Sequence, residues 1–151
     1  MINDLEDLYR EIILDHYKNP RNQGELVVPP AVVQEGYNPL CGDEIKVYVE
    51  VDGERLTAVT TTGQGCSISR SSASLLTQAV KGHTLAEVND MIHQFRQMMG
   101  VDAGTDLLPP TDRELGELAA LKGVVKFPVR IKCALLSWNT FEAALAKATS
   151  R

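Results

Sequence analysis

Ile45, Val47, Val49 and Val51 alternate with Lys46, Tyr48 and Glu50, and the run stops at Asp52-Gly53. A period of two lays one apolar row along one face of a strand, and Asp-Gly is a strong hairpin turn. Leu56 to Thr62 supplies the returning strand, and Val32 to Tyr37 reads as a third strand ahead of the pair. The chain is thereby committed to a small antiparallel meander of about three strands.

Helical patterns flank this meander. Asn3 to Asn19 brings Leu5, Leu8, Ile12 and Tyr17 near one stripe, with acidic residues in the first turns, and Asn19-Pro20 stops it. Gln23-Gly24 through Pro29-Pro30 is a loop. After the third strand, Gly63-Gln64-Gly65-Cys66 breaks the sheet, and Ser67 or Ser69 caps a helix running to about Val80. Lys81-Gly82-His83 ends that helix, and Thr84 caps another that runs through Met99. Gly100 to Pro110 shows little periodicity. Thr111-Asp112-Arg113-Glu114 has the form of a capping box before a short helix to about Leu121, ended by Gly123. A last helix carries Ala134, Trp138, Phe141 and Leu145 on one stripe. Strands first and helices afterwards predict an α+β architecture.

Length and charge narrow the function. At 151 residues the chain fits one domain, 1–151, with a core of its own. Twenty acidic against fifteen basic side chains give a net charge of -5, the wrong sign for a nucleic-acid partner. The acidic, amphipathic start is unlike a signal peptide, and no apolar run approaches the roughly 18 residues that span a bilayer. The expectation is a cytoplasmic protein with no membrane partner. Three cysteines, an odd number, argue against a disulfide framework and for free thiols or a metal site.

Those cysteines occupy matching places. Cys41 lies in Asn38-Pro39-Leu40-Cys41-Gly42-Asp43, a turn at a strand end; Cys66 lies at a strand-to-helix junction; Cys133 lies near the start of the final helix. With the hairpin packed on the helices, all three meet at one end of the sheet, and Asp43 adds a fourth donor. Three thiolates and a carboxylate suit tetrahedral Zn²⁺, and thiolates equally suit iron–sulfur chemistry. The chain has no paired CxxC motif, and buried apolar cysteine is the competing reading. Arg130 and Lys132 flank Cys133 and Arg70 follows Cys66, placing cations where an anionic site benefits, or simply on the solvated surface. Helix N-termini behind Cys66 and Cys133 would favour thiolates there. His16, alone on a polar helix, reads as a capping or surface residue. Nothing near His16, His83 or His93 resembles a nucleophile–base motif, which weighs against a cysteine hydrolase.

Four motifs in order carry a resemblance: Asp15-His16-Tyr17-Lys18-Asn19-Pro20-Arg21-Asn22, Asn38 to Asp43, Gly63-Gln64-Gly65-Cys66-Ser67-Ile68-Ser69, and Lys132-Cys133-Ala134-Leu135-Leu136-Ser137-Trp138. Together they resemble the IscU/NifU-N-like iron–sulfur cluster assembly family, and within it the SufU branch. The resemblance implies a small antiparallel sheet with helices on one face, and Cys41, Asp43, Cys66 and Cys133 as metal ligands. Scaffold-type relatives have a histidine before the third cysteine and a Leu-Pro-Pro-Val-Lys chaperone loop. Here the corresponding residues are Lys132 and Lys126-Phe127-Pro128-Val129-Arg130. The added length from about Gly100 to Leu121 and Arg130 itself are SufU-like.

The implied function is a Zn²⁺-dependent sulfurtransferase. It takes persulfide sulfur on Cys41 from a SufS-type cysteine desulfurase, a partner histidine displacing Cys41 from zinc, and serves the downstream iron–sulfur assembly machinery. The alternatives are a scaffold that assembles a [2Fe–2S] cluster from iron on the same ligands, and a structural zinc module that binds a protein. Arg130, Lys132 and His16 are expected around the site or against the partner, with His16 on a first helix that the resemblance places near the desulfurase.

Overall fold

The computed structural model describes residues 4–101 and 111–150. Helix α1 (Asp4–Lys18) leads into a three-stranded sheet of β1 (Val32–Asn38), β2 (Asp43–Asp52) and β3 (Arg55–Gln64). Helices α2 (Ser67–Val80), α3 (Leu85–Met98) and α4 (Asp112–Leu115) follow, then a 3₁₀ segment, Gly116–Lys126, and α5 (Pro128–Thr149). The expected loop over Gly100 to Pro110 lies outside the described residues from position 102 onward.

The sheet is antiparallel throughout, in the order β1-β2-β3. Register follows burial: Ile45, Val47 and Val49 face inward, opposite Gly36, Gln34 and Val32 on β1 and Gly63, Thr61 and Val59 on β3. β3 runs to Gln64, two residues past the expected end, because Gly63 and Gln64 still pair with Ile45 and Glu44. α5 packs on β1 and β2 while α2 packs on β3, so helices cover the inward face. The expected stripe of α5 is in the core, with Ala134, Trp138 and Phe141 fully buried and Leu145 packed against them. Trp138 stacks on Phe95 of α3, ring centroids 4.2 Å apart and planes 9° from parallel.

α2 is the central helix. Seven consecutive residues, Ser71 to Thr77, are buried, which an amphipathic surface helix does not show. Its small hydroxyls each bind a neighbour: Ser71 Oγ donates to Ile13 O at 2.7 Å, and Ser72 Oγ to Ala134 O at 2.6 Å. Trp138 Nε1 in turn donates to Ser72 Oγ at 3.2 Å. Serine is small enough to let helices approach and supplies the bonds that its burial requires.

Three expectations are corrected. The inward stripe of α1 is Tyr9, Ile12, Ile13 and His16, not one containing Leu8, which is 51% exposed. Counting histidine as polar hides the last member of an i, i+3, i+4, i+7 pattern. His16 itself is fully buried, not on the surface. Arg21 N–H donates to Ser74 Oγ at 2.8 Å, and the Ser74 hydroxyl then faces His16 Nδ1 at 2.7 Å. The remaining nitrogen, Nε2, contacts Glu117 Oε2 at 2.7 Å. Both nitrogens are engaged away from any cysteine, so a cysteine–histidine pair is not formed there. Thr111 caps the helix, Glu114 N–H donating to Thr111 Oγ1 at 3.2 Å, but the helix tightens after Leu115 and passes Gly123. Leu115, Leu118, Leu121 and Val124 recur every three residues and are all buried, the period at which a 3₁₀ helix stacks one face.

Two outcomes test this packing. Trp138→Ala should cost about 3–5 kcal/mol in denaturant unfolding, as for other large-to-small core changes. The His16 contact holds the Glu117 carboxyl below the usual glutamate range, with Gln78 adding to it. A lowered folded value means the stabilisation is present above the ordinary range near 4.3 and lost as pH falls through the lowered value. The stability gap between the native chain and Glu117→Gln should therefore shrink in that acid window and persist at neutral pH.

Candidate metal centre

The candidate donors converge at one end of the sheet. Asn38 and Asp43 form the last cross-strand pair of β1 and β2, and Pro39 to Gly42 close the loop between them. Cys41 N–H donates to Asn38 O at 3.3 Å, a tight turn for which Pro39 fixes its φ, and Gly42 at φ +69 completes the reversal. Asp43 then continues the inward row of Ile45, Val47 and Val49, so a carboxylate sits fully buried at the end of an apolar face.

Cys66 enters from β3 and is the N-cap of α2. Its sulfur accepts from Ser69 N–H at 3.5 Å, so the thiol caps the helix in place of the serines that capping preference favours. Asp43 Oδ1 accepts from Cys66 N–H at 2.8 Å, and Oδ2 lies 4.0 Å from Cys66 Sγ. Cys133 is six residues into α5, past the end of its first turn, so it lacks the expected N-terminal stabilisation; its sulfur contacts the Val129 carbonyl at 3.7 Å.

Cys41, Asp43 and Cys133 offer ligand atoms all within 4.8 Å of one another, and the Cys41 and Cys133 sulfurs are 3.0 Å apart. Cys66 joins this group through Asp43. Burial pushes the Cys133 thiol well above its ordinary range, and the neighbouring Cys41 and Cys66 sulfurs and the Asp43 carboxylate push the same way. Among the described residues no cationic side chain pairs with Asp43. A wholly buried carboxylate amid three sulfurs, with no organic cation against it, is a donor set that a divalent metal fits.

The expected cations lie elsewhere. Arg130 and Lys132 are exposed on α5, and among the described residues no hydrogen bond or ion pair ties them to the sulfurs. Arg70 sits over the Tyr17 ring, 5.2 Å from its centroid. A fully buried His16 has no surface to offer a partner. Sequence reasoning made Ser67 or Ser69 the helix cap and Gly65 a strand breaker; the cap is instead Cys66, with Ser69 N–H as its donor, and Gly65 lies against the Asp43 carboxylate. A Cβ at Gly65 would overlap the Asp43 carboxylate and stand 2.6 Å from the Ser69 hydroxyl.

A small antiparallel sheet with helices on its inward face and a cysteine–aspartate cluster at one end defines the class of protein. The family model described as NifU-like N terminal domain matches residues 8–134, and the chain belongs to that family. It is 44% identical over 144 residues to the Zinc-dependent sulfurtransferase SufU of Bacillus subtilis, covering 95% of this chain and 93% of that protein. It is 35% identical over 149 residues to the Iron-sulfur cluster assembly scaffold protein IscU of Streptococcus pyogenes, covering 99% and 89%. A solved structure from Fervidobacterium islandicum, described as a proposed iron–sulfur cluster assembly scaffold protein for the SUF system, superposes with a TM-score of 0.78 at 32% identity. That match covers 89% of this chain and 94% of that one.

Because Gly65 leaves room for the carboxylate, Gly65→Ala should displace Asp43 and weaken Zn²⁺ or Co²⁺ binding by about tenfold or more. Competition with a chelating dye reads this directly, and helical content by circular dichroism should be unchanged.

Proposed function

We propose that the protein is a zinc-dependent sulfur acceptor that takes persulfide sulfur from a cysteine desulfurase on Cys41 for iron–sulfur cluster assembly. The observation that carries the reading is an asymmetry among the three sulfurs. Cys66, part-exposed like Cys41, is built into a helix cap and Cys133 is buried within α5, whereas Cys41 lies on a loop between Pro39 and Gly42. One thiol is free to meet another protein's persulfide, and two are fixed.

Cys41, Asp43, Cys66 and Cys133 would hold the metal, which keeps bound thiols deprotonated and muted in nucleophilicity. In the transfer, the Cys41 thiolate attacks the terminal sulfur of the desulfurase persulfide. A new S–S bond forms on Cys41 as the old one breaks, and the desulfurase cysteine leaves as a thiolate. Leu40, next to Cys41, and Val129, whose carbonyl contacts Cys133 Sγ, are exposed at 67% and 57% and give a partner apolar surface near these sulfurs, and the exposed Arg130 and Lys132 on α5 offer it charge. The similarity to a protein named a zinc-dependent sulfurtransferase supports the same reading.

A second reading, a scaffold that assembles a [2Fe–2S] cluster on the same donors, is favoured by the similarity to a protein named a scaffold. Three thiolates and a carboxylate allow it. The compartment is proposed as the cytoplasm; no described helix is long and apolar enough to cross a membrane.

Cys41→Ala should abolish transfer of ³⁵S from a desulfurase persulfide onto the protein while zinc remains bound. Undiminished labelling in that variant would overturn the acceptor assignment. A visible chromophore that forms on anaerobic addition of iron and sulfide, and passes to an apo-protein, would favour the scaffold.

A further inference from the structure

We infer that Asn38 is a positioning residue that marks Cys133 as a retained sulfur of the site and leaves Cys41 as the reactive one. The inference rests on the cluster being a metal site, as proposed above. Asn38 is 7% exposed and stands directly across the ladder from Asp43, so the two side chains share the inward face. Its amide orientation is fixed by a backbone group that can only donate: Leu40 N–H donates to Asn38 Oδ1 at 3.2 Å. The amide nitrogen therefore faces the cluster, where Nδ2–H donates to Cys133 Sγ at 3.9 Å.

N–H donors are distributed unevenly over the three sulfurs. Cys66 receives one from Ser69 and Cys133 receives one from Asn38, while among the described residues the only hydrogen-bonding neighbour of the Cys41 sulfur is Cys133. An N–H···S contact draws electron density from a thiolate and lowers its nucleophilicity, and such outer contacts tune the affinity and electronic character of metal–sulfur sites. The two sulfurs held by rigid elements are thus also the two quieted by N–H donors. The third lies on a loop, and among the described residues no N–H donor reaches its sulfur. At 3.9 Å the Asn38 contact is long, so it acts as a bias on Cys133 rather than as a lock. The same side chain pins Leu40, next to Cys41, so one amide fixes both the buried thiol and the loop of the exposed one.

Two substitutions separate these jobs. Asn38→Ser keeps a side-chain oxygen that accepts from the N–H two residues on, as serine does in such turns, but is too short to reach Cys133. Asn38→Ala removes both contacts. With Co²⁺ as the probe, both variants should bind about tenfold or more weakly than the native chain. Their sulfur-to-cobalt charge-transfer band should move to lower energy, because the Cys133 lone pairs lose their donor. In a Cys133→Ser background Asn38→Ser should cause no further band shift, whereas in a Cys66→Ser background the shift should remain. Iodoacetamide labelling of the metal-loaded protein should show the Cys133-to-Cys41 ratio rising in Asn38→Ser. If Asn38→Ser matches the native chain in affinity, band position and labelling while Asn38→Ala alone is weak, Asn38 merely shapes the turn and the inference fails. If the native chain binds neither Co²⁺ nor Zn²⁺, the metal-site reading fails with it.

Discussion

The register of β2 governs the candidate site. Side chains alternate across a strand with a period of two, so burying Ile45, Val47 and Val49 forces every odd-numbered position before the strand's bulge to the same face. Asp43 is the next in that row, and it is buried because the valines are. A slip of one residue would turn the carboxylate to solvent along with the whole apolar row, so the hydrophobic pairing that holds the sheet also holds the candidate donor. The Asn38·Asp43 pair ends the ladder where the inward face gives way to sulfur. Core packing and site geometry are fixed by a single choice of strand pairing.

The sheet was legible because alternation and the Asp-Gly turn are local signals, and the three-stranded antiparallel meander and the helix cap at Thr84 match the expectation. The convergence of Cys41, Asp43 and Cys133 was legible from their places at element ends; Cys66, read from its junction, stands against Asp43 beside that group. What the sequence hid is a property of tertiary neighbours. His16 looks polar in a linear pattern, yet Ser74 and Glu117, 58 and 101 positions away, supply the partners that make its burial tolerable. Ser71, Ser72 and Ser74 look like a surface stretch until helices on two sides of α2 supply acceptors. The 3₁₀ segment was misread for another reason. A recurrence of three is easily taken for a loose version of 3.6, and Gly123 looks like a stop where the chain keeps its tight turn.

The environments of the sulfurs are as unlike as the elements that carry them. Cys66 belongs to a helix terminus, whose unpaired N–H groups favour an electron-rich capping atom. Cys133 belongs to the interior of a helix, where burial and then the neighbouring sulfurs and carboxylate push its thiol above the ordinary range. Cys41 belongs to a loop of the kind that scaffolds use to display reactive groups. Leu40, next to Cys41, is an exposed apolar side chain on that loop. The part-buried sulfur thus sits in the rim of the region best suited to meet another protein.

The distances along the chain between these donors have a consequence for folding. Cys41 and Cys133 are 92 positions apart, and Asp43 and Cys66 are 23 apart. A cation held by all four would close large loops in the folded chain and act there as a reversible cross-link. The entropy of closure rises only logarithmically with loop length, so the long separation adds little to the cost of bringing the donors together. It does ensure that no short peptide segment presents the full donor set. The meander, the α2 terminus and α5 must all be docked before the four candidate donors stand together, so a cation that needs the full set would report the completed fold.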